Sequence, residues 1–459
     1  MKARRFIAGT LALTLTGCTV GPNYKRPSTE VPAQYRGIVP GSEDQSSSPA
    51  FAEMKWQSVF QDEALQGLIK EALTNNYDIR IAASRIVQAE ASVGIARANQ
   101  LPALSGSFGI ENDRIPGTRV APTFYAGALT VSYIFDFWGQ FRRATEAARA
   151  NLLGTRYAAY LVETTLISEV ATAYFELRQF DAQLDFSKRS VLSDQDSVRI
   201  NTINYKGGEY AVTDVYQAQL LLQQAEAEVI SLTQSIEQTE NQLSILLGRN
   251  PGPIARGMPL VDQAHLTEVP VGLPSAILER RPDVRESEEA LAAANANVGV
   301  AKAAYFPQIP LTANVGSQST ALTSFLQGPT AFWAIGAQLA QPIYAGGRIT
   351  SQYHLAWAQR DQAELTYKQT VQQAFADVSN ALAGYNQSRL FRIKLQEQTA
   401  TYKETSRLAN VRFLGGVTSF LEVLTTQQQY FDSELQLQQA WFAEMQNYVQ
   451  LYQALGGGW

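Results

Sequence analysis

Few residues in this chain are equipped for covalent or metal chemistry. Two histidines, His265 and His354, and one cysteine, Cys18, are spread over 459 residues. A zinc site or a nucleophile–base pair needs several such groups together. Catalysis therefore has little material to build from, and no enzyme and no cofactor are expected. Cys18 has a more specific setting. It closes MKARRFIAGTLALTLTGC, where Lys2, Arg4 and Arg5 precede a short apolar run and then small residues. That is the layout of a secretory signal. Leu15-Thr16-Gly17-Cys18 matches the bacterial lipobox, in which the thiol is acylated before cleavage. The expectation is a signal peptide over 1–17 and a lipid-bearing Cys18. Thr19 stands where an inner-membrane retention signal would carry Asp, so sorting to the outer membrane is expected. A segment dense in Pro, Gly and Ser follows and reads as an extended tether over 18–60.

A second set of capable residues occurs twice. VRINTINYKGGEYAVTDV at 198–215 resembles LANVRFLGGVTSFLEV at 408–423. Tyr205 aligns with Phe413, Gly207-Gly208 with Gly415-Gly416, and Asp214 with Glu422, all at an offset of 208 residues. Glycine pairs of this kind permit a tight reversal with positive φ. Acids crowded into one ring raise one another's pKa and can bind cations. An acid in the first turn of a helix is also favoured for local reasons alone, so both readings stand for Asp214 and Glu422.

The elements that must hold these residues repeat as well. SVGIARANQLPALSGSFG at 92–109 resembles NVGVAKAAYFPQIPLTANVG at 297–316, so the chain is a tandem duplication, 61–270 and 271–459. Each half has a moderate helix (about 64–99; about 282–304), two alternating strands, and a very long helix. The strands are expected over about 102–114 and 122–138, then 308–319 and 331–344. The long helices are expected over about 139–203 and 347–412, with return helices over 211–248 and 418–454. Val162, Leu166, Val170, Ala173 and Leu177 step by four and three, as do Val371, Phe375, Val378, Leu382 and Tyr385, a spacing that packs helix on helix.

The strands are unusual. In TFYAGALTVSYIFDFWG at 123–139, Tyr125, Leu129, Val131 and Tyr133 share one face, and Ala126, Ala128, Thr130 and Ser132 the other. Four such strands cannot close on themselves, since the smallest barrels need about eight. Open edges in lipid leave backbone groups unpaired. Several copies pooling their strands would close one barrel, apolar outward and small or polar inward. No run of about 18 apolar residues exists to make a transmembrane helix. The net charge of −5, with dispersed cations, argues against nucleic acid as a partner.

CTVGPNYKRP at 18–27 and RRPDVRESEEALAAANANVGVAKAAYFPQIPLTA at 280–313 resemble the outer-membrane lipoproteins of the TolC/OprM (NodT-type) family, over essentially the whole mature chain. The resemblance implies a mainly α protein with a transmembrane β-barrel portion. Its trimer would share a 12-stranded barrel, four strands per protomer, continuing into a long periplasmic α-helical barrel. It implies docking to a periplasmic adaptor and an inner-membrane pump, usually of the resistance-nodulation-division class. It also implies that the Gly207-Gly208 and Gly415-Gly416 turns form a periplasmic tip that constricts the channel and meets the adaptor. Asp214 and Glu422 are then candidate gate carboxylates, with Thr213, Tyr205 and Phe413 beside them. Arg412 would tether a carboxylate, its partner unspecified. Related chains often carry an aspartate where this one has Thr425, which weakens one version of that gate. Tyr125, Tyr133, Phe135, Phe137, Trp138, Phe332, Trp333 and Tyr344 are expected on the barrel wall or its aromatic belts. The function implied is a passive exit channel for drugs or other small amphiphiles. The alternatives are an exit duct for type I protein or peptide secretion, and a lipid-tethered coiled-coil scaffold without a pore.

Overall fold

A computed structural model of the chain describes residues 19–32, 35–36, 51–112, 122–263, 265, 269 and 274–459. Cys18 and the signal stretch lie outside these, as do residues 33–34 and 37–50 of the tether and positions 113–121.

The main elements run through one order twice. Helices α1 (Glu63–Asn75) and α2 (Tyr77–Ala98) lead to strands β1 (Ala103–Asn112) and β2 (Thr123–Ile134), then to α3 (Gln140–Lys206) and α4 (Val212–Leu246). The second passage has α5 (Pro282–Ala303), β3 (Pro310–Ser319), β4 (Ala331–Ala337), α6 (Arg348–Leu414) and α7 (Phe420–Ala454). Counterparts match in length: α3 and α6 have 67 residues each, and α4 and α7 have 35. At 1.5 Å per residue, α3 and α6 each extend about 100 Å. The single helix expected over 64–99 is broken at Asn76. Its Oδ1 accepts from the backbone N–H of Asp78 at 2.7 Å, and its Nδ2 donates to the Leu246 carbonyl at 2.9 Å. A short side chain that can bond its own backbone competes with the helix in this way.

The chain divides into two compact units. One comprises the described residues up to Ser28, with Ser84–Arg156 and Glu286–Gln369. At its centre is an antiparallel sheet in the order β1-β2-β3-β4. The register pairs Leu104 with Val131, Leu129 with Val315, and Val315 with Trp333, which collects the large apolar side chains on one face. The intervening positions pair Ser105 with Thr130, and Thr130 with Asn314, so the other face is small and polar. Phe332 is the exception. Expected on the wall with Trp333, it pairs with Gly316 on the small, polar face, because neighbours along a strand point to opposite sides. Gly316 makes room for it: a Cβ there would lie 2.9 Å from the Phe332 ring and would collide with the Gly127 carbonyl.

Two strands are shorter than their alternation suggests. β2 ends at Ile134 and β4 at Ala337, so Phe135, Phe137, Trp138 and Tyr344 lie beyond the strands. Pro310 offers a carbonyl to Gln338 N–H at 3.1 Å but has no N–H to return, which interrupts the ladder. Pairing resumes as an isolated bridge between Gln308 and Ala340.

The first described residues of this unit are pinned, not loose. Val20 N–H donates to the Trp138 carbonyl at 3.1 Å, and Arg143 donates to Asn23 Oδ1 at 2.7 Å. Arg26 meets the buried Glu288 through two bonds of 2.6 Å each, and Tyr24 donates to the same carboxylate at 3.2 Å. Gly21 and Gly299 pass so closely that a Cβ on Gly21 would lie 2.5 Å from the Gly299 Cα. The tether reading of the Pro- and Gly-rich start is thus corrected for residues 20–26. The chain is extended there, yet held by side chains that its composition conceals.

The other unit comprises Thr29–Ala83, Tyr157–Arg285 and Thr370–Trp459. Its helices bury the middle of the four-three seams: Leu166, Val170, Ala173 and Leu177 on α3, and Val371, Val378, Leu382 and Tyr385 on α6.

Candidate functional site

The two glycine turns join α3 to α4 and α6 to α7. Each closes with the same bonds. Glu209 N–H donates to the Asn204 carbonyl at 2.9 Å, and Val417 N–H to the Arg412 carbonyl at 3.0 Å, the wide loop of a Schellman motif. Only the second glycine of each pair needs its freedom: Gly208 has φ of 79° and Gly416 of 70°. Gly207 and Gly415 are not in the left-handed region, and a Cβ on either would meet only ordinary contacts.

Phe413 packs between the turns, its ring tilted against both neighbours. Its ring lies 5.3 Å from Tyr210 of the first turn and 5.3 Å from Phe420 at the start of α7. Beneath it Ala218, Ala409, Phe420 and Val423 form a buried cluster. Tyr205, the sequence counterpart of Phe413, is instead half exposed. Tyr210 was missed in the sequence because its counterpart is Thr418, which gives the repeat no aromatic signal there.

The two carboxylates differ more than their alignment implies. Asp214 accepts from the Ala211 backbone N–H at 3.1 Å, so it closes the start of its own helix. Glu422 faces back across its turn. Arg412 Nη1 donates to its Oε1 at 2.8 Å, and the Thr418 hydroxyl donates to its Oε2. Arg412 thereby acquires the partner that the sequence left open, and Thr418 joins a site in which it was not anticipated. Thr213 is exposed, and its hydroxyl finds no partner among the described residues. Thr425 turns its hydroxyl onto the Leu421 carbonyl at 2.9 Å, satisfying itself on its own helix.

A separate aromatic run follows β2. Tyr133, Phe135, Phe137 and Trp138 are ring neighbours in sequence order, with centroids 6.4, 6.3 and 4.8 Å apart. Trp138 stacks on Phe306 at 4.5 Å and donates to the Pro307 carbonyl at 2.8 Å. Asp136 interrupts the run to accept the N–H groups of Phe141 and Arg142 at 3.2 and 2.9 Å, which caps α3. Tyr344 and Trp333 are 91% and 74% exposed.

An open four-stranded sheet, greasy on one face and polar on the other, together with long paired helices, defines the TolC-like class of outer-membrane channels. The chain belongs to the outer membrane efflux protein family, whose sequence profile matches residues 68–249 and 273–457. The solvent efflux pump outer membrane protein SrpC of Pseudomonas putida is 34% identical over 456 residues, covering 97% of each chain. The cation efflux system protein CusC of Escherichia coli O6:H1 is 32% identical over 466 residues, covering 100% of both. A crystal structure of CusC superposes with a TM-score of 0.88 at 30% identity, covering 96% of this chain and 100% of that one. The open-state MtrE outer membrane channel of Neisseria gonorrhoeae gives 0.87 at 30% identity, covering 96% and 98%. The protein is an efflux channel of the outer membrane.

Proposed function

We propose that three copies of this chain close one barrel and conduct small amphiphilic solutes outward through it. The solutes are delivered by a periplasmic adaptor and an inner-membrane pump of the resistance-nodulation-division class. The observation that carries this reading is the sheet. Among the described residues β1 and β4 are its two edges, while Trp333 and Ile335 on its apolar face are 74% and 78% exposed. An unpaired edge is costly in lipid, and a bare apolar face is costly in water. Twelve strands from three copies remove the edges and turn the apolar face to lipid.

The turns Gly207-Gly208 and Gly415-Gly416 form the periplasmic end and the adaptor contact, and the residues around them form the gate. In this gate the Arg412–Glu422 pair acts as a latch within one protomer. Asp214 contributes charge while capping its helix, and Phe413 holds the two turns together. Acylated Cys18 tethers the chain to the membrane. Relatives are named for solvents, toluene, antibiotics and cations, in keeping with a duct whose selectivity belongs to its pump. The test is conductance of the purified trimer in a planar bilayer. Steps of uniform size are expected, and they should grow in Asp214→Ala/Glu422→Ala. No conductance from either protein would sink the channel reading.

A further inference from the structure

Helices α3, α4, α6 and α7 line a cavity of about 410 Å³ in the second unit, within the size range of small-molecule sites. Part of its lining is aromatic: Phe186 meets Tyr430 edge-on at 5.7 Å and Phe431 at 5.6 Å. Part is made of acceptors that lack donors. The half-buried Asp194 carboxylate has no hydrogen-bond or ion-pair partner among the described residues. Gln427 Oε1 is buried and equally without a partner.

The remaining charges do not compensate Asp194. Arg189, also on α3, pairs with Asp185 at 3.2 Å. Burial raises the pKa of Glu434 on α7, while Lys403 of α6 and Arg189 pull it down, so those cations serve Glu434. Tyr430 is the other titratable group that α7 places in the lining, and α4 contributes only Leu221, Gln224 and Ala225 to it. For Asp194, burial holds the pKa up to about 6.

We propose that this cavity binds a monovalent organic cation, a protonated aromatic amine, in addition to the pore's own conduction. Its N–H groups would donate to Asp194 and Gln427 Oε1, and its ring would lie among Phe186, Tyr430 and Phe431, where aromatic faces attract cations. An anion meets unpaired acceptors here, and a neutral hydrocarbon leaves them unsatisfied.

The test uses the purified full-length protein in detergent, titrated with the acridinium dye proflavine and read by fluorescence anisotropy. At pH 8 we expect saturable binding of one dye per protomer. Asp194→Asn should weaken it about tenfold or more, and Ser193→Trp, which fills the cavity, should abolish it. Binding should also weaken from pH 8 to pH 5 in the wild type and far less in Asp194→Asn. Bilayer conductance of Asp194→Asn should equal the wild type, which separates this site from the gate. Absence of saturable binding, or an unchanged affinity in both variants, would overturn the proposal.

Discussion

Replacing Arg412 by alanine removes one half of the contact that holds the second turn to the start of α7. The Arg412 and Glu422 side chains are 54% and 37% exposed, so water and salt screen the pair. Its contribution is that of an exposed ion pair, about 0.2–1 kcal/mol per protomer. If the three latches of a trimer must release together, their sum is about 0.6–3 kcal/mol, which converts to a change of ~3- to ~150-fold in the ratio of open to closed channels. The assay is single-channel recording of open probability, for Arg412→Ala, Glu422→Ala and the double variant. The double variant should open no more than either single one, because each single change already breaks the pair. The gap from wild type should narrow in 1 M salt, where the screening length falls to about 3 Å. Equal open probability for wild type and Arg412→Ala would refute the latch. So would fully additive effects of the two substitutions, which would mean that the residues act separately.

Other expectations follow from single contacts. Gly208→Ala and Gly416→Ala should each cost about 1–2 kcal/mol, because their φ of 79° and 70° suits only glycine. Gly207→Ala and Gly415→Ala should be near neutral, and thermal unfolding of the four variants would separate them. Gly316→Val should prevent assembly of heat-resistant trimers on denaturing gels, since its side chain would enter the β2 backbone. Asp194 has a folded pKa raised to about 6 from 3.8, so its folded state prefers the proton. The stability it confers is full below pH 3.8 and is lost as pH rises to about 6. Asp194→Asn should flatten stability against pH over that window. Cys18→Ala should abolish incorporation of labelled palmitate while leaving the signal stretch in place.

Much of the architecture is legible in one-dimensional patterns because each pattern has one cause. Alternation of Tyr125, Leu129 and Val131 with Ala128 and Thr130 requires a strand with unlike faces, whatever lies around it. The recurrence of Tyr-Lys-Gly-Gly and Phe-Leu-Gly-Gly 208 residues apart marks a duplication, and the helix pairs of 67 and 35 residues carry the same mark. What misled was local. Phe332 and Trp333 look alike by composition, but adjacent strand residues cannot share a face. Gln-Ile-Pro at 308–310 hides the missing N–H that unsettles the ladder opposite β4. Asn76 looks like one more polar helical residue until its amide finds the Leu246 carbonyl.

The tip divides the same way. Sequence alone determined that both turns carry glycine pairs with an acid shortly after, because turn chemistry and helix starts depend on near neighbours. Only the tertiary structure decided what those acids do. Asp214 bonds its own backbone three residues away, whereas Glu422 is claimed by Arg412 ten residues back across the turn. Bonds of the second kind depend on the path the chain takes between the partners, and no alignment of the two repeats records it. The same reason separates the Gly21–Gly299 contact, nearly 280 residues apart along the chain, from either glycine seen alone.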